Sequence, residues 1–279
     1  MSTRPVTGVA AGRSSSPSHA RALVGAAHAG PALAVTVLAA LLSVAQGLPA
    51  TTTAVLVAAV LAGQLSIGWS NDLVDRSRDR AAGRGDKPLA ADDGPVAVVR
   101  VACGVAVVAC VVLSLALGPA AGLVHLACVA SAWAYNVWLK ATVWSWVPYA
   151  VSFGGLTAVV TLADGEAPPW WWPVGAALLG VAAHLLNVLP DLADDAATGV
   201  RGLPHRLGER RIAPVAAVVL VAATTVVLVG AGPPVAATVA VAVVVLALAG
   251  VVVVGTGRRP FVAAVAIALT DALLLVVAR

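Results

Sequence analysis

The composition of this 279-residue chain excludes a water-soluble globular protein. Hydrophobic residues make up 60% of the chain and charged residues only 11%, whereas roughly 25% of residues are charged in a typical soluble domain. The mean hydropathy is +0.96, which corresponds to more apolar surface than a soluble core of this size can bury. The net charge of +4 would suit nucleic-acid binding, but the basic residues are placed as in a membrane protein, so no nucleic-acid partner is expected.

The apolar runs predict an all-α, polytopic membrane helical bundle. Residues 1–20 are rich in Ser, Pro and Gly and lack an apolar run, so they predict a disordered cytoplasmic tail rather than a signal peptide. Residues 21–279 predict one transmembrane domain, because about 20 apolar residues span the hydrocarbon layer as a helix. About nine such helices, separated by short Pro/Gly turns, are expected at 22–46, 51–70, 96–117, 119–139, 142–163, 170–190, 211–231, 233–254 and 259–278.

The basic residues predict the orientation of these helices. With the N-terminus in the cytoplasm, 16 of the 17 Lys and Arg residues fall on one face of the membrane, and only Arg279 falls on the other. An excess of Lys and Arg marks the cytoplasmic loops of membrane proteins. We therefore expect an integral protein of the plasma membrane whose charged loops lie in the cytoplasm.

Two Asp-rich segments on that face form an internal repeat. The segments 71–83 and 187–199 align with a shift of 116 residues and share Asn, Asp, Asp and Gly at four-residue intervals. The matched residues are Asn71, Asp75, Asp79 and Gly83 in the first copy and Asn187, Asp191, Asp195 and Gly199 in the second. Four predicted helices separate the copies, which indicates a parallel duplication of a four-helix unit.

The spacing within each copy predicts a binding site for a metal and a diphosphate. Residues four apart lie on one helix face, so each copy is expected to continue a transmembrane helix into an Asp-rich cytoplasmic cap loop. Crowded carboxylates repel unless a cation lies between them, and Mg²⁺ is usually held by carboxylates together with substrate phosphates. The cationic residues expected to contact the remaining phosphate oxygens are Lys87, Lys140, Arg201 and Arg206. The alternative is that these segments are solvated loops whose acids balance the charge of nearby arginines. The presence of two copies in register makes this alternative less favourable.

These motifs resemble those of the UbiA superfamily of intramembrane prenyltransferases. The runs Asn71-Asp72-x-x-Asp75-x-x-x-Asp79 and Asp191-x-x-x-Asp195 are similar to its two Asp motifs. Further likeness is found in Lys87-Pro88-Leu89, in Tyr135-Asn136 followed by Lys140, and in the segment 203–208. The resemblance covers nearly the whole chain beyond the tail. It departs from the family pattern where Lys87 replaces an Arg and where His28 occupies the region of an Arg-Pro pair in the first helix.

The resemblance implies a Mg²⁺-dependent transfer of an isoprenyl group from an isoprenyl diphosphate to an aromatic or quinone-precursor acceptor, with the prenyl chain in an apolar tunnel open to membrane lipid. It implies that the Mg²⁺ ligands are Asn71, Asp75, Asp79, Asp191 and Asp195, and that the catalytic residues are Asp72, Asp75 and Asp191. It implies that the substrate-binding residues are Asn71, Lys87, Tyr135, Asn136, Lys140, Asn187, Arg201 and Arg206. The acceptor, the chain length of the donor and the oligomeric state do not follow from the sequence.

Other functions use similar residues. A membrane terpene synthase would use the same site without an external acceptor, and nothing in the sequence separates it from a transferase. A cation- or lipid-binding transporter would place its acids near the bilayer midplane, rather than at the interface. A CDP-alcohol phosphotransferase also uses Mg²⁺, but its Asp-Gly-x-x-Ala-Arg opening is absent, since Asp93-Gly94 is followed by Ala97-Val98.

Three polar residues of the predicted helices, His28, His184 and Asp271, have open roles at this stage. His184 is predicted to share a helix face with Asn187 and Asp191, and it belongs either to the site or to a hydrogen bond between helices. Asp271 lies inside the last predicted helix, where an acid is either functional or paired with a hydroxyl such as that of Thr270. Three cysteines in apolar runs, Cys103, Cys110 and Cys128, predict buried reduced thiols.

Overall fold

The computed structural model describes residues 19–85, 87–91, 93 and 95–277. The predicted tail therefore lies almost wholly outside the described residues, as do Gly94, Arg279 and the last residue of the ninth predicted helix. Within the described ranges the chain is all-α, and nine of its helices are long and apolar enough to cross a membrane. The protein is an integral membrane protein, as the composition predicted.

The described residues form thirteen α-helices and three short 3₁₀ helices. In chain order, the α-helices are α1 (His19–Ala26), α2 (Ala29–Gln46), α3 (Ala50–Ala81), α4 (Pro88–Ala91), α5 (Val96–Ala116), α6 (Pro119–Val137), α7 (Val147–Ala163), α8 (Trp171–Val188), α9 (Leu192–Ala197), α10 (Leu203–Leu207), α11 (Glu209–Ala231), α12 (Val235–Val254) and α13 (Arg259–Val277). The 3₁₀ helices are Leu139–Ala141, Val143–Trp146 and Leu189–Asp191. The spans are α2, α3, α5 to α8 and α11 to α13, and the short helices α1, α4, α9 and α10 connect them.

The predicted duplication is visible in the order of the helices. The set α2, α3, α4, α5 and α6 is followed by α7, α8, α10, α11 and α12, and α13 is the additional ninth span. Pro88 in α4 and Pro204 in α10 are separated by the same 116 residues as the two Asp motifs. Proline is favoured in the first turn of a helix, so each copy begins its short connecting helix in the same way.

Both Asp motifs lie in helices, and most of the predicted loop residues are helical. Helix α3 continues eleven residues beyond the predicted end at Ser70 and carries the first motif to Ala81. The second motif continues α8 through the 3₁₀ turn Leu189–Asp191, which contains Pro190, and then through α9. The expected helical continuation is confirmed, and the carboxylates consequently have fixed directions at helix ends.

Three buried apolar clusters hold these helix ends in place. One joins α8 to α11, α12 and α13 around Leu185, Leu220 and Ile267. A second joins α2, α3 and α7 around Leu56 and Val159. A third packs α1 and α4 against α5 through Ala26, Leu89 and Val99, with Trp69 and Leu73 of α3 beside it. The third cluster fixes the short helices α1 and α4 next to the first Asp motif.

Candidate active site

The carboxylate of Asp75 is held between two cations. The 3₁₀ turn that follows α6 places Lys140 against α3, where its Nζ donates hydrogen bonds to both oxygens of Asp75. Arg78, one turn further along α3, lies 3.0 Å from Asp75 Oδ1 through its Nη1. Burial lowers the pKa of the Lys140 ammonium, although the neighbouring Asp75 opposes that shift. Lys140 and Asp75 are both predicted site residues, and they are direct partners although 65 residues separate them in the sequence.

The two Asp motifs face a common space. Arg84, which follows the first motif, has its Nη1 3.5 Å from Asp191 Oδ1 and 3.5 Å from Asp194 Oδ2 of the second motif. The carboxylate of Asp195 lies within electrostatic range of Asp75 and Lys140. Because Arg84 of the first copy reaches two acids of the second, a ligand between the copies would contact both.

Asp72 forms a separate cluster with two residues from outside α3. Its side chain is 1% exposed, and its Oδ1 accepts hydrogen bonds from Lys87 Nζ at 2.8 Å and His28 Nε2 at 2.9 Å. Its Oδ2 is buried without a partner in the described structure. The charge of Lys87 also acts on Asp79, so this cluster adjoins the space between the two motifs. His28, whose role the sequence left open, is thus placed beside the candidate site.

A glycine on α3 explains how His28 reaches Asp72. A Cβ at Gly68 would lie 2.5 Å from the carbonyl oxygen of Ala27, so only glycine lets the peptide before His28 lie this close to α3. Trp69 Nε1 donates to the carbonyl of Leu23 at 3.0 Å and ties α1 to the same helix. His28 has a left-handed backbone (φ 50°), the only positive φ among the described residues other than glycine. That turn ends α1, begins α2 and directs the imidazole to Asp72.

The asparagines near the acids connect different helices. Asn136 donates to the Ile67 carbonyl at 2.9 Å and to Ser70 Oγ at 2.8 Å, and it accepts from Asn71 Nδ2 at 3.3 Å. It therefore joins α6 to α3, while Asn71 keeps its side-chain oxygen for another partner. Asn187 donates to the hydroxyl of Tyr149 at 3.3 Å, which connects the second motif to α7.

Three aromatic rings lie beside the acids. The Tyr135 ring centroid is 5.3 Å from that of Tyr149 and 5.7 Å from that of His184, and the Tyr149 and His184 centroids are 4.8 Å apart. The hydroxyl of Tyr135 interacts with that of Tyr149 and lies within electrostatic range of Asp75 and Asp195. His184 Nε2 is 2.9 Å from Ser145 Oγ, so this histidine makes the predicted hydrogen bond between helices, although its buried Nδ1 has no partner in the described structure.

The remaining predicted residues lie outside these clusters. Arg201 and Arg206 are exposed, and neither forms an ion pair within the described part of the chain. Asp271 is buried and accepts a hydrogen bond from Thr224 Oγ1 of α11 at 3.0 Å. The Thr270 hydroxyl bonds its own helix at Ala266 instead, so the partner of the acid is not the one the sequence suggested. The three cysteines are free and buried, as predicted.

The donor set fits Mg²⁺ only together with a phosphate ligand. Among the described residues, no three His, Cys, Asp or Glu side chains lie close enough to enclose a metal ion. The carboxylates are instead neutralised by Lys140, Arg78, Arg84 and Lys87. Mg²⁺ prefers carboxylate and amide oxygens and is commonly completed by substrate phosphates rather than by an all-protein cage. The oxygens of the two motifs are of this kind.

Comparison with known proteins identifies the family. Residues 32–275 match the model of the UbiA prenyltransferase family. No curated protein sequence matches the chain. A UbiA homologue from Archaeoglobus fulgidus bound to GPP and Mg²⁺ is similar in structure, with a TM-score of 0.69 at 14% identity over 91% of this chain and 96% of that chain.

Two further solved structures have the same fold. The apo UbiA homologue from Aeropyrum pernix K1 has a TM-score of 0.74 at 15% identity over 87% of this chain and 97% of that chain. A digeranylgeranylglyceryl phosphate synthase has a TM-score of 0.59 at 12% identity over 94% of this chain and 98% of that chain. At these identities the likeness shows the fold alone.

Proposed function

Because the chain belongs to the UbiA prenyltransferase family and is therefore a membrane-embedded transferase of prenyl groups, we propose that it uses Mg²⁺ and an isoprenyl diphosphate to prenylate an aromatic or quinone-precursor acceptor. The observation that carries the proposal is the pair of facing Asp motifs, with Lys140 on Asp75 and Arg84 on Asp191. The Archaeoglobus fulgidus relative bound to GPP and Mg²⁺ supports this choice of donor and metal.

The two motifs would hold the metal and the diphosphate between them. The Mg²⁺ ligands we propose are Asn71, Asp75, Asp79, Asp191 and Asp195. When bound, Mg²⁺ supplies positive charge that stabilises the diphosphate as a leaving group. Lys140, Arg78 and Arg84 already point at these carboxylates, so a diphosphate entering the space would receive their hydrogen bonds.

The aromatic rings would face the reacting carbon. Loss of diphosphate leaves positive charge on the allylic C1 atom, and tyrosine faces attract cations. The Tyr135 and Tyr149 rings are in contact, Tyr135 lies near Asp75 and Asp195, and Asn187 donates a hydrogen bond to the Tyr149 hydroxyl. We assign these two residues to stabilising and shielding the developing allylic cation.

An apolar groove offers a path for the prenyl chain. A cavity of about 420 Å³ lies between α7 and α8, and it begins at Trp146, one turn from Tyr149. Its lining is apolar and includes Ala150 of α7 and Ala177, Leu178 and Val181 of α8. We propose that the chain lies here, in contact with lipid, with the active site on the cytoplasmic face of the plasma membrane.

A direct assay tests this function. Purified protein in nanodiscs is given geranyl, farnesyl or geranylgeranyl diphosphate, with Mg²⁺ or EDTA, alone and with pooled aromatic and quinone-precursor acceptors. Mg²⁺-dependent release of diphosphate with formation of a prenylated acceptor is expected. Release without acceptor, giving a hydrocarbon or alcohol, would indicate a terpene synthase instead, and no release from any donor would contradict the proposal.

Two variants and a control test whether the Asp motifs are required for the reaction. Asp75→Ala and Asp191→Ala should each abolish diphosphate release while leaving membrane insertion intact. Asp164→Ala is the control, because this acid bonds Gln46 at the opposite end of the bundle. Full activity in both Asp75→Ala and Asp191→Ala would show that the acid site is misassigned.

A further inference from the structure

His28 is held in the arrangement of an oriented base. Its Nε2 lies 2.9 Å from Asp72 Oδ1, and its side chain is 39% exposed while that of Asp72 is 1% exposed. A neutral imidazole whose Nε2–H donates to a carboxylate keeps an unshared electron pair on Nδ1. Nδ1 has no hydrogen-bond partner among the described residues. The buried carboxylate therefore fixes one ring nitrogen and leaves the other for a ligand.

Two charged side chains lie next to His28. The charged groups in contact with it are Asp72 of α3 and Lys87, which precedes α4 and whose Nζ is 3.4 Å from His28 Nε2. Asp72 stabilises the imidazolium that forms when Nδ1 takes a proton. Its Oδ2 is buried and has no partner among the described residues, so Asp72 keeps hydrogen-bonding capacity beyond the two bonds at Oδ1. Lys87 also reaches Asp79 electrostatically, so His28 stands at the edge of the proposed diphosphate site.

We propose that His28 is the catalytic base that deprotonates the acceptor and that the acceptor is an uncharged phenol; this inference rests on the prenyl transfer proposed above. Asp72 acts through His28 and is a positioning residue. With neutral imidazole, the three side chains carry no net charge, because Lys87 cancels Asp72. They therefore offer a base to a hydroxyl group of the acceptor, but they offer no unpaired cation to a carboxylate on it.

The reaction balances with this assignment. The acceptor O–H bond breaks, and its proton moves to Nδ1 of His28. The phenolate electron pair forms a bond from oxygen, or from a ring carbon activated by it, to C1 of the prenyl chain. The C1–O bond to diphosphate breaks, and diphosphate leaves with that electron pair. In ring alkylation the ring proton is then lost to water, and the oxygen regains the proton held by His28.

Two variants distinguish the loss of a base at position 28 from a loss of folding. His28→Asn keeps a side-chain donor for Asp72 and tolerates a left-handed backbone, but it cannot serve as a base near neutral pH. His28→Gly also tolerates that backbone and leaves space for added imidazole. Wild type and both variants are assayed in nanodiscs with Mg²⁺ and each of the three donors. The acceptor probes are methyl 4-hydroxybenzoate and methylhydroquinone, with methyl 4-methoxybenzoate and free 4-hydroxybenzoate as controls.

The expected result is transfer to the two phenols and none to the methyl ether, with slower transfer to the free acid. Both variants should transfer about 100-fold or more slowly, the usual contribution of a general base, with the donor dissociation constant within about twofold of wild type. Imidazole should restore transfer in His28→Gly and not in His28→Asn.

Several outcomes would overturn the inference. These are an undiminished transfer rate in His28→Asn, loss of donor affinity in both variants, no imidazole rescue, or a wild type that releases diphosphate but prenylates neither phenol. A wild type that releases no diphosphate with any donor would instead overturn the proposed function itself.

Discussion

Replacing Gly68 with alanine should displace His28 from Asp72. The added Cβ would lie 2.5 Å from the Ala27 oxygen and 2.8 Å from its carbonyl carbon, whereas ordinary contacts begin at 3.4 Å. Relief of that overlap moves the Ala27–His28 peptide by about 0.9 Å, which lengthens the 2.9 Å bond from His28 to Asp72 to about 3.8 Å, beyond hydrogen-bonding distance. Overpacking of this kind costs about 1–3 kcal/mol, and the better helix propensity of alanine offsets about 1 kcal/mol.

The consequence for activity is measured by transfer rate and donor affinity together. A misplacement of about 1 Å in a catalytic group reduces rates by about 10²-fold, so prenyl transfer should fall by about 10- to 100-fold. Donor affinity should stay near that of wild type, because Lys140 and Asp75 do not contact the displaced peptide. The control is Gly104→Ala in α5, where an added Cβ would meet nothing within 4 Å. Equal transfer rates in Gly68→Ala and Gly104→Ala would refute the reasoning.

Three other perturbations have definite expected results. Lys140→Met should weaken donor binding by about 10- to 100-fold, since a hydrogen bond to a charged group contributes about 1.5–3 kcal/mol; unchanged affinity by titration calorimetry would remove Lys140 from the diphosphate site. Mg²⁺ alone should hardly raise the melting temperature, because Lys140 and Arg78 already form ion pairs with Asp75. Mg²⁺ together with geranyl diphosphate at about 100 times its Kd should stabilise the fold by about 2.7 kcal/mol. Thr224→Val should cost about 1–3 kcal/mol by removing the donor to buried Asp271, and a loss of catalytic rate without a loss of stability would show that this pair is functional.

The spans and the helical placement of the first Asp motif could be predicted because each follows from a local pattern. Runs of about 20 apolar residues predicted the nine membrane-crossing helices, and the four-residue spacing of Asp75 and Asp79 predicted that α3 continues through its motif. The predicted ends of the helices were less accurate where a 3₁₀ turn adjoins an α-helix. The predicted span 142–163 begins in the structure with a 3₁₀ turn, and α-helix starts only at Val147.

The cation partners of the acids depend on tertiary packing and could not be predicted in full. Arg78 was foreseeable in principle, because it stands three residues after Asp75 on the same helix. Arg84 reaches Asp191 across more than 100 residues, a contact fixed only when the two halves of the chain pack together. His28 depends on a left-handed turn and on the close approach of a backbone to Gly68, neither of which leaves a periodic signal in the sequence.

Helix α3 is longer than the hydrocarbon layer is thick, so one end of it can lie in water while the rest lies in lipid. A helix of 32 residues is about 48 Å long at 1.5 Å per residue, while the hydrocarbon layer is about 30 Å thick. If the apolar part of α3 spans the lipid, the excess length would carry the first Asp motif into the aqueous boundary. In the proposed reaction the two products would then separate by partitioning: diphosphate would diffuse away in water, and the prenylated molecule would stay in the bilayer. The donor concentration that governs turnover would then be the number of donor molecules per unit area of membrane rather than per unit volume.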